Sequence, residues 1–527
     1  MLKPLKSEDR RKLVFSTLDI ETNEDGTYLL GAIYTGGEYL EFTTSSELAQ
    51  YIVDHGAVYY AHCGVRFDYA LLFNELVTIS KTCTVSMSGS SGVYMTVDKS
   101  ELLDSYRLLP ASLEKLTKMF CPERAKIKLD CMPWDLSETE LREYLRRDCE
   151  SLYLVVERFY DIIKTRFGQL YAKTLPALAM KIYRYKYQQH DMWGASNSLY
   201  KFEKLSYFGG MMYVKPGLYE GVYSYDINSM YPWAMQGEFP IAYHGKWVRQ
   251  FELDRISIYR VAFKTHGIPY IYSIEDRKLV NEGVGIVCNT TIKYGISRGD
   301  SFTLEEGYVY FRTADIFSTF VNDLYSLRLA SQAPLNYVIK ILLNSLYGKF
   351  GQRRESRTIS TEPPTEIVGK SRIYEYGGRE VFDYVEDKII QHSMPIIASL
   401  ITMKARLRLH SFTDSNTIYM DTDSIHSASR RDDIPISSRL GDFKEEVSGV
   451  RAVYLGKKLY QIGEVKKAKG IPSHAMSVVS METMYSPRTF EFDTFPSIVQ
   501  QLRRDVEFRK EVVSRTINHT LVHAETD

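Results

Sequence analysis

Tyr419-Met420-Asp421-Thr422-Asp423-Ser424-Ile425 is the stretch on which the reading of this 527-residue chain turns. A β-run enters it and another leaves it, so two carboxylates flank one threonine at the tip of a hairpin. Side chains two apart on a strand share a face, and both carboxylates therefore project to the same side. With a third carboxylate they can hold two Mg²⁺ ions about 3.5–4 Å apart. One ion would acidify a hydroxyl nucleophile, and the other would neutralise a triphosphate and its leaving group. A solvated acidic turn has the same local sequence, so the assignment depends on what else the chain supplies.

Two upstream segments supply it. A strand over 222–225 runs into Asp226-Ile227-Asn228-Ser229-Met230-Tyr231-Pro232, where a strand-terminal carboxylate and the Ile227 carbonyl can face a metal. The amides that follow face a triphosphate, and the Tyr231 ring can wall off a sugar 2′ position. The run Lys340-Ile341-Leu342-Leu343-Asn344-Ser345-Leu346-Tyr347-Gly348-Lys349-Phe350-Gly351 reads as a helix. Lys340, Asn344, Tyr347 and Gly351 share one stripe, opposite an apolar stripe of Ile341, Leu342 and Leu346. An ammonium, an amide and a flat ring beside a glycine form a surface against which a base pair can press. Taken singly, the first segment is also a capped turn, and the second an amphipathic helix with incidental polar residues.

A second set of carboxylates lies nearer the N-terminus. Asp19-Ile20-Glu21-Thr22 places two acids on one face of a strand, and Phe67-Asp68 follows. Tyr144 and Asp148 share a helical face at i and i+4. Four carboxylates from strand and helix can gather two metals, while a tyrosine hydroxyl orients an attacking water.

In order and type these segments match DxxSxYP, KxxxNSxYG and YxDTDS, preceded by DxE, xFD and YxxxD. The set resembles the family B DNA polymerases that carry a 3′→5′ proofreading exonuclease. Tyr207-Phe208-Gly209-Gly210 resembles the template-contacting YxGG element of the protein-primed branch, the compact phage and linear-plasmid type. Lys458-Leu459-Tyr460 resembles that branch's KxY motif, which holds the primer end. The resemblance runs over nearly the whole chain. It implies an α/β multidomain fold, with an RNase H-like exonuclease domain followed by a right-hand palm, fingers and thumb with two inserted subdomains. The implied divisions are an exonuclease domain (1–165), a linker and first part of the palm (166–259), a first inserted subdomain (260–312) and fingers (313–351). A second inserted subdomain built on a β-hairpin (352–395), the second part of the palm (396–450) and the thumb (451–527) complete them.

Residue roles follow from the same resemblance. Asp226, Asp423 and the Ile227 carbonyl would hold the polymerase metals, with Asp421 assisting. Ser229, Met230, Tyr231, Arg328, Lys340, Asn344 and Tyr347 would line the dNTP pocket. Asp19, Glu21, Asp68 and Asp148 would hold the exonuclease metals, and Tyr144 would orient the water. Lys128 would stand near the scissile phosphate, with Lys126 the alternative. Thr22, His62, Phe67, Ser105, Tyr207, Gly209, Gly210, Gly348, Thr422, Lys458 and Tyr460 would contact DNA. The implied cofactor is Mg²⁺, two per active site, with Mn²⁺ able to substitute. The implied partners are DNA template and primer, dNTPs and a terminal protein, with strand displacement by a monomer in a host cytoplasm. Two positions depart from the pattern. Cys63 stands where the family has an Asn ahead of Phe67-Asp68, and a thiol is a poor hydrogen-bond partner for a sugar or phosphate. Asp104-Ser105-Tyr106 stands where the branch has a Ser-Leu pair.

Bulk composition constrains less. With 44% hydrophobic and 25% charged residues the chain reads as globular and long enough for several domains. The formal net charge is +0, so phosphate binding needs local clusters such as Lys349, Arg353, Arg354 and Arg357, or Lys457, Lys458, Lys466, Lys467 and Lys469. The 40 tyrosines suit either stacking on bases or a tyrosine-rich core. Six cysteines without a CxxC pair argue against a zinc site or disulfide framework and for a reducing compartment. Residues 1–12 lack an apolar signal core, and no run of about 18 apolar residues is present. A reverse transcriptase also uses paired palm aspartates, but the KxxxNSxYG helix, Tyr231 and a second acidic set argue against one. A DNA-binding relic would lack the carboxylates. A family B polymerase that starts without a protein primer remains open. A helix over 136–164 opened by Ser137 and Glu140, paired helices over 315–329 and 335–350, and a closing charged helix over 498–517 complete the expectations.

Overall fold

The computed structural model describes residues 1–367, 369–387, 390–477 and 479–521. The N-terminal carboxylates lie on the strand Ser16–Thr22, inside a ten-stranded sheet. Its antiparallel neighbour Tyr28–Tyr34 follows a tight turn in which Gly26 takes φ 85, a left-handed value that suits a residue without Cβ. Val58–Ala61 and Ser100–Asp104 continue the sheet in parallel on the other side. Across it lies the 30-residue helix Glu138–Phe167, opened by a reciprocal capping box between Ser137 and Glu140. Leu141, Leu145 and Cys149 of that helix bury themselves against Leu30 and Ala32.

The same sheet recruits a segment from the far half of the chain. Cys83–Ser88 pairs antiparallel with Glu355–Ser360, which pairs in turn with Arg379–Asp387 and, beyond it, Arg372–Tyr376. Gly377 and Gly378, at φ 58 and 70, make the two-residue turn that closes this hairpin. Arg357, counted from sequence in a basic cluster, is held as a fork on Asp383 at 2.7 and 2.6 Å.

The second large sheet has seven strands around Gly217–Ile227, which ends at the first polymerase-type motif and is longer than the short strand expected over 222–225. Ser424–Ser427 and Phe443–Gly456 flank it, Thr417–Asp421 and Met212–Val214 form one edge, and Leu459–Ile462 and Val465–Ala468 form the other. The helices Ser318–Leu329 and Leu335–Phe350 pack on each other and, with Pro395–His410, beside this sheet. Between Gly217–Ile227 and Ser318–Leu329 in sequence, a four-stranded sheet comprises Gly245–Val248, Ser257–Lys264, Glu282–Cys288 and Ser301–Tyr310 with the helix Asn289–Ser297. It takes in strands that begin before residue 260, the start assigned from sequence.

The closing segment differs from the expected helix. Ile498–Arg504 is helical, but Asp505 takes a left-handed φ of 51 and stops it. Glu511–Ile517 is a strand paired with Arg488–Thr494, as the β-branched Val512, Val513, Thr516 and Ile517 favour. Much of the tyrosine excess is core: Tyr59, Tyr69, Tyr183, Tyr225, Tyr259, Tyr419 and Tyr454 are buried. All six cysteines are free. Among the described residues no helix is long and apolar enough to cross a membrane.

Candidate active sites

The hairpin of Thr417–Asp421 and Ser424–Ser427 turns through Thr422, whose φ of 64 brings Asp421 and Asp423 together at its tip. Ser424 lies opposite Asp226 in the neighbouring strand, and the Ile227 N–H donates to the Asp423 carbonyl at 2.8 Å. Register alone therefore brings the motifs at 226 and 423 side by side. Burial, then the Asp226 charge, pushes Asp423 up to about 7. Burial also raises Asp226, against the pull of Lys444, whose ammonium lies 3.3 Å from its carboxylate. Lys458 sits 3.0 Å from Asp421, and the Tyr460 ring packs on Tyr419 with centroids 5.0 Å apart.

The loop at 207–211 backs this turn. Thr422 N–H donates to the Met211 carbonyl at 2.8 Å, and a Cβ on Gly210 would stand 2.8 Å from the Thr422 hydroxyl. The buried Arg406 guanidinium donates to the Phe208 and Gly209 carbonyls at 3.2 and 2.8 Å, and the Tyr272 hydroxyl donates to the Gly210 carbonyl at 2.9 Å. Sequence reasoning missed both Arg406 and Tyr272, because Arg406 sits among Lys404, Arg408 and His410 on one helix and nothing in the sequence marks which of these is buried. Gly351, expected to admit a base pair, is instead covered by the Tyr207 ring. Gly348 and Gly209 face open space.

Ser229 takes a left-handed φ of 49, and its hydroxyl accepts from Arg328 at 2.7 Å. The Tyr231 and Tyr347 rings stack with centroids 4.2 Å apart, and Met230 is buried. Lys340 and Asn344 are exposed on their helix. Partial burial lowers Lys340, the Arg328 and Lys444 charges lower it further, and the Asp226 charge pulls the other way, so these groups lie within electrostatic reach of one another. Lys444 had no signal in its own segment; its place becomes visible only once the strand register sets it opposite Asp226.

At the other centre, Asp19, Glu21 and Asp148 offer oxygens all within 4.8 Å of one another, the one such cluster among the described residues. Burial and Asp148 push Asp19 up to about 7, and burial and Asp19 push Glu21 up to about 9. Asp68 lies beside this trio: it is buried, burial and then the Asp19 charge raise it well above the usual carboxylate range, and its carboxylate accepts from Ile20 N–H at 3.0 Å. Lys126 ion-pairs with Asp148 and lies over the Tyr144 ring at 4.7 Å. Burial opposes its charge, but Asp148 and Asp19 outweigh that and hold the ammonium above its ordinary range. Burial and the Asp148 charge push the Tyr144 hydroxyl up to about 12. Lys128, the first choice from sequence, is exposed, whereas Lys126 pairs with Asp148, so the geometry favours Lys126.

The strand-contact residues divide. Ser105 is fully buried and cannot reach a strand; its hydroxyl lies 2.9 Å from His62 Nδ1 and 3.2 Å from the Ala61 carbonyl, and its one proton serves either acceptor. His62 Nε2 is taken by the Ala111 carbonyl at 3.0 Å, and burial holds this ring down to about 4, hence neutral. Thr22 is buried at the end of its strand. Phe67 meets Phe495 and Phe508 edge-on at 5.2 and 5.3 Å. Cys63 takes φ 63 with its N–H donating to Asp104 at 2.9 Å, and burial pushes its thiol up to about 11.

A nucleic-acid polymerase fold of exonuclease, palm, fingers and thumb is what this architecture defines, and solved structures share it. Phage phi29 DNA polymerase complexed with primer-template DNA and incoming nucleotide superimposes with a TM-score of 0.72 at 17% identity, over 96% of this chain and 100% of that one. The chain belongs to the family of DNA polymerase type B, organellar and viral, whose model matches residues 126–438. A probable DNA polymerase of Podospora anserina is 21% identical over 506 residues, which covers 76% of this chain and 42% of the relative. One of Neurospora intermedia is 27% identical, covering 62% and 38%. The chain thus spans about two fifths of the length of these two fungal relatives. The DNA-directed DNA polymerase of enterobacteria phage PRD1 is 23% identical, covering 90% of this chain and 86% of that one.

Proposed function

We propose that this chain is a DNA-directed DNA polymerase that also removes nucleotides from primer 3′ ends. One observation carries the reading: two separate carboxylate groups, each beside cations suited to phosphate. Asp226 lies against Lys444 and within electrostatic reach of Lys340, and Asp421 lies against Lys458, while Asp19, Glu21 and Asp148 face Lys126. Both donor sets are all-oxygen and crowded enough to hold carboxylates above their ordinary range, which fits Mg²⁺, with Mn²⁺ as a substitute. Such ions, when bound, supply an acidified 3′-hydroxyl or water and neutralise phosphoryl oxygens.

The chain's own residues do the rest. Asp226, Asp423 and the Ile227 carbonyl are the polymerase ligands, with Asp421 beside them. Arg328, fixed by Ser229, and Lys340 bind triphosphate oxygens, with Asn344 beside them. Tyr231, braced by Tyr347, excludes a 2′-hydroxyl, with Met230 beside it. Tyr207, Gly209, Gly210, Gly348, Thr422, Lys458 and Tyr460 line the primer-template path. In the exonuclease, Asp68 is the fourth metal ligand beside Asp19, Tyr144 orients water and Lys126 stands by the scissile phosphate. Thr22, His62 and Phe67 shape the frayed-strand groove, Ser105 acting through His62. The seven divisions assigned from sequence are retained, with the first insert extended toward residue 245.

Two finer features belong to the same reading. The second insert, built on the exonuclease sheet, narrows the downstream template path and favours strand displacement. Synthesis starts from a terminal protein on a linear genome, with the enzyme a monomer in the host cytoplasm. Asp423→Asn should lower nucleotide incorporation at least about 10²-fold while primer degradation persists; full incorporation by this variant contradicts the reading. Labelled dNTP transferred to a candidate terminal protein without any nucleic-acid primer supports protein priming, and a strict need for a 3′-hydroxyl primer removes it.

A further inference from the structure

The strand Phe443–Gly456 brings an ammonium to the first polymerase carboxylate. Lys444 and Asp226 are direct cross-strand partners, so their side chains leave the sheet on one face. The Lys444 Nζ lies 3.3 Å from Asp226 Oδ2 and 2.7 Å from Glu446 Oε1. Glu446 owes its place to a break in the ladder: Glu445 pairs with Tyr225 and Val447 with Ser224, leaving Glu446 as the extra residue of a bulge. Bulges re-aim side chains and cluster beside active sites.

We propose that Lys444 is a positioning residue that spans Asp226 and Glu446, and that it gives up Asp226 and keeps Glu446 when a divalent cation binds Asp226. An ammonium and a divalent cation cannot share one carboxylate oxygen without mutual repulsion, so one displaces the other. The displacement is easy. Lys444 and Glu446 are about half exposed, at 51% and 47%, and ion pairs in that setting are weak. The lysine stem is flexible and its ammonium a point charge, so it can leave Asp226 while keeping Glu446, the nearer of its two partners, without losing a fixed fork geometry. Glu446 gives the displaced charge a partner, so the site does not hold an unpaired lysine beside the incoming cation.

The inference rests on Asp226 being a metal ligand, and its test separates the two. Mn²⁺ binding to the DNA-free full chain is followed by electron paramagnetic resonance in an Asp19→Ala, Glu21→Ala background, which removes the exonuclease cluster. Lys444→Met should bind Mn²⁺ about two- to fivefold more tightly, since the competitor is gone. Glu446→Gln should bind it more weakly by a similar factor, since Lys444 then has only Asp226 to hold. Lys444→Arg should stay near the parent. The Mg²⁺ concentration for half-maximal incorporation should shift in the same directions. Thermal midpoints in EDTA report whether each variant is folded, and Lys444→Gln provides a second substitution at the exposed position. Unchanged or weaker binding by folded Lys444→Met, or a Glu446→Gln shift in the same direction as Lys444→Met, overturns the proposal. If Asp226→Asn leaves the titration unchanged, the ligand role of Asp226 fails and the exchange fails with it.

Discussion

Asp19 at about 7 and Glu21 at about 9 stand well above ordinary values of 3.8 and 4.5. The folded state therefore holds protons that the unfolded chain has released, and metal-free stability falls as pH rises from about 4 through about 9. Asp19→Asn with Glu21→Gln should thus be more stable than the parent in EDTA, by about 2 kcal/mol at alkaline pH. The gap should close toward pH 5, as urea unfolding across pH will show. A gap that widened on acidification would mean the carboxylates are not crowded. Cys63 is a second local cost, because its φ of 63 puts a Cβ-bearing residue in the left-handed region that asparagine tolerates better. Cys63→Asn should raise the urea midpoint by about 1 kcal/mol of stability without changing the slope. A lower midpoint would show that the thiol's packing outweighs the backbone strain.

At the scale of elements, legibility followed local period. The hairpin at 417–427 was readable because alternation and two carboxylates lie within it, and Glu138–Phe167 because Ser137 and Glu140 announce its start. Lys126 was not separable from Lys128, because the chain between Cys121 and Ser137 has only short 3₁₀ turns and no period to fix which lysine points inward. Lys444 and Arg406 depend on strand pairing and on burial, neither of which is written in adjacent residues. The same limit hid the docking of Glu355–Ser360 on Cys83–Ser88, a pairing between distant segments. The loop behind the Asp421-Thr422-Asp423 turn offers a paired test. Gly210→Ala places a methyl 2.8 Å from the Thr422 hydroxyl, whereas Gly209→Ala meets nothing within 4 Å. Steady-state incorporation should fall about tenfold or more for the first, the scale of a small misplacement at a reacting centre, and change little for the second. Equal rates for the two would detach this loop from the catalytic turn.

Across the whole molecule, one hydrophobic core joins three parts of the chain. Ile359, Tyr376 and Val381 of the second insert, and Ile498, Val499, Leu502 and Phe508 near the C-terminus, enter the core of the N-terminal domain. Tyr376 donates to Gln501 at 2.8 Å, Gln501 donates to the Ala70 carbonyl at 3.0 Å, and Lys510 N–H donates to the Asp25 carbonyl at 2.9 Å. The insert and the chain end therefore pack against each other and together onto the N-terminal domain. Tyr376→Ala removes a ring stacked on Phe73 and should loosen this packing by about 3 kcal/mol. Product length per binding event on a primed circle with a competitor trap should shorten, while single-nucleotide incorporation is retained; unchanged length would separate the packing from processivity. The most direct test of two metal-dependent centres on one chain uses a 5′-labelled primer-template with Mg²⁺. The parent should extend the primer with dNTPs and degrade it without them, Asp226→Asn should only degrade, and Asp19→Ala with Glu21→Ala should only extend. Loss of both activities in either folded variant, or of neither, would contradict that division of labour.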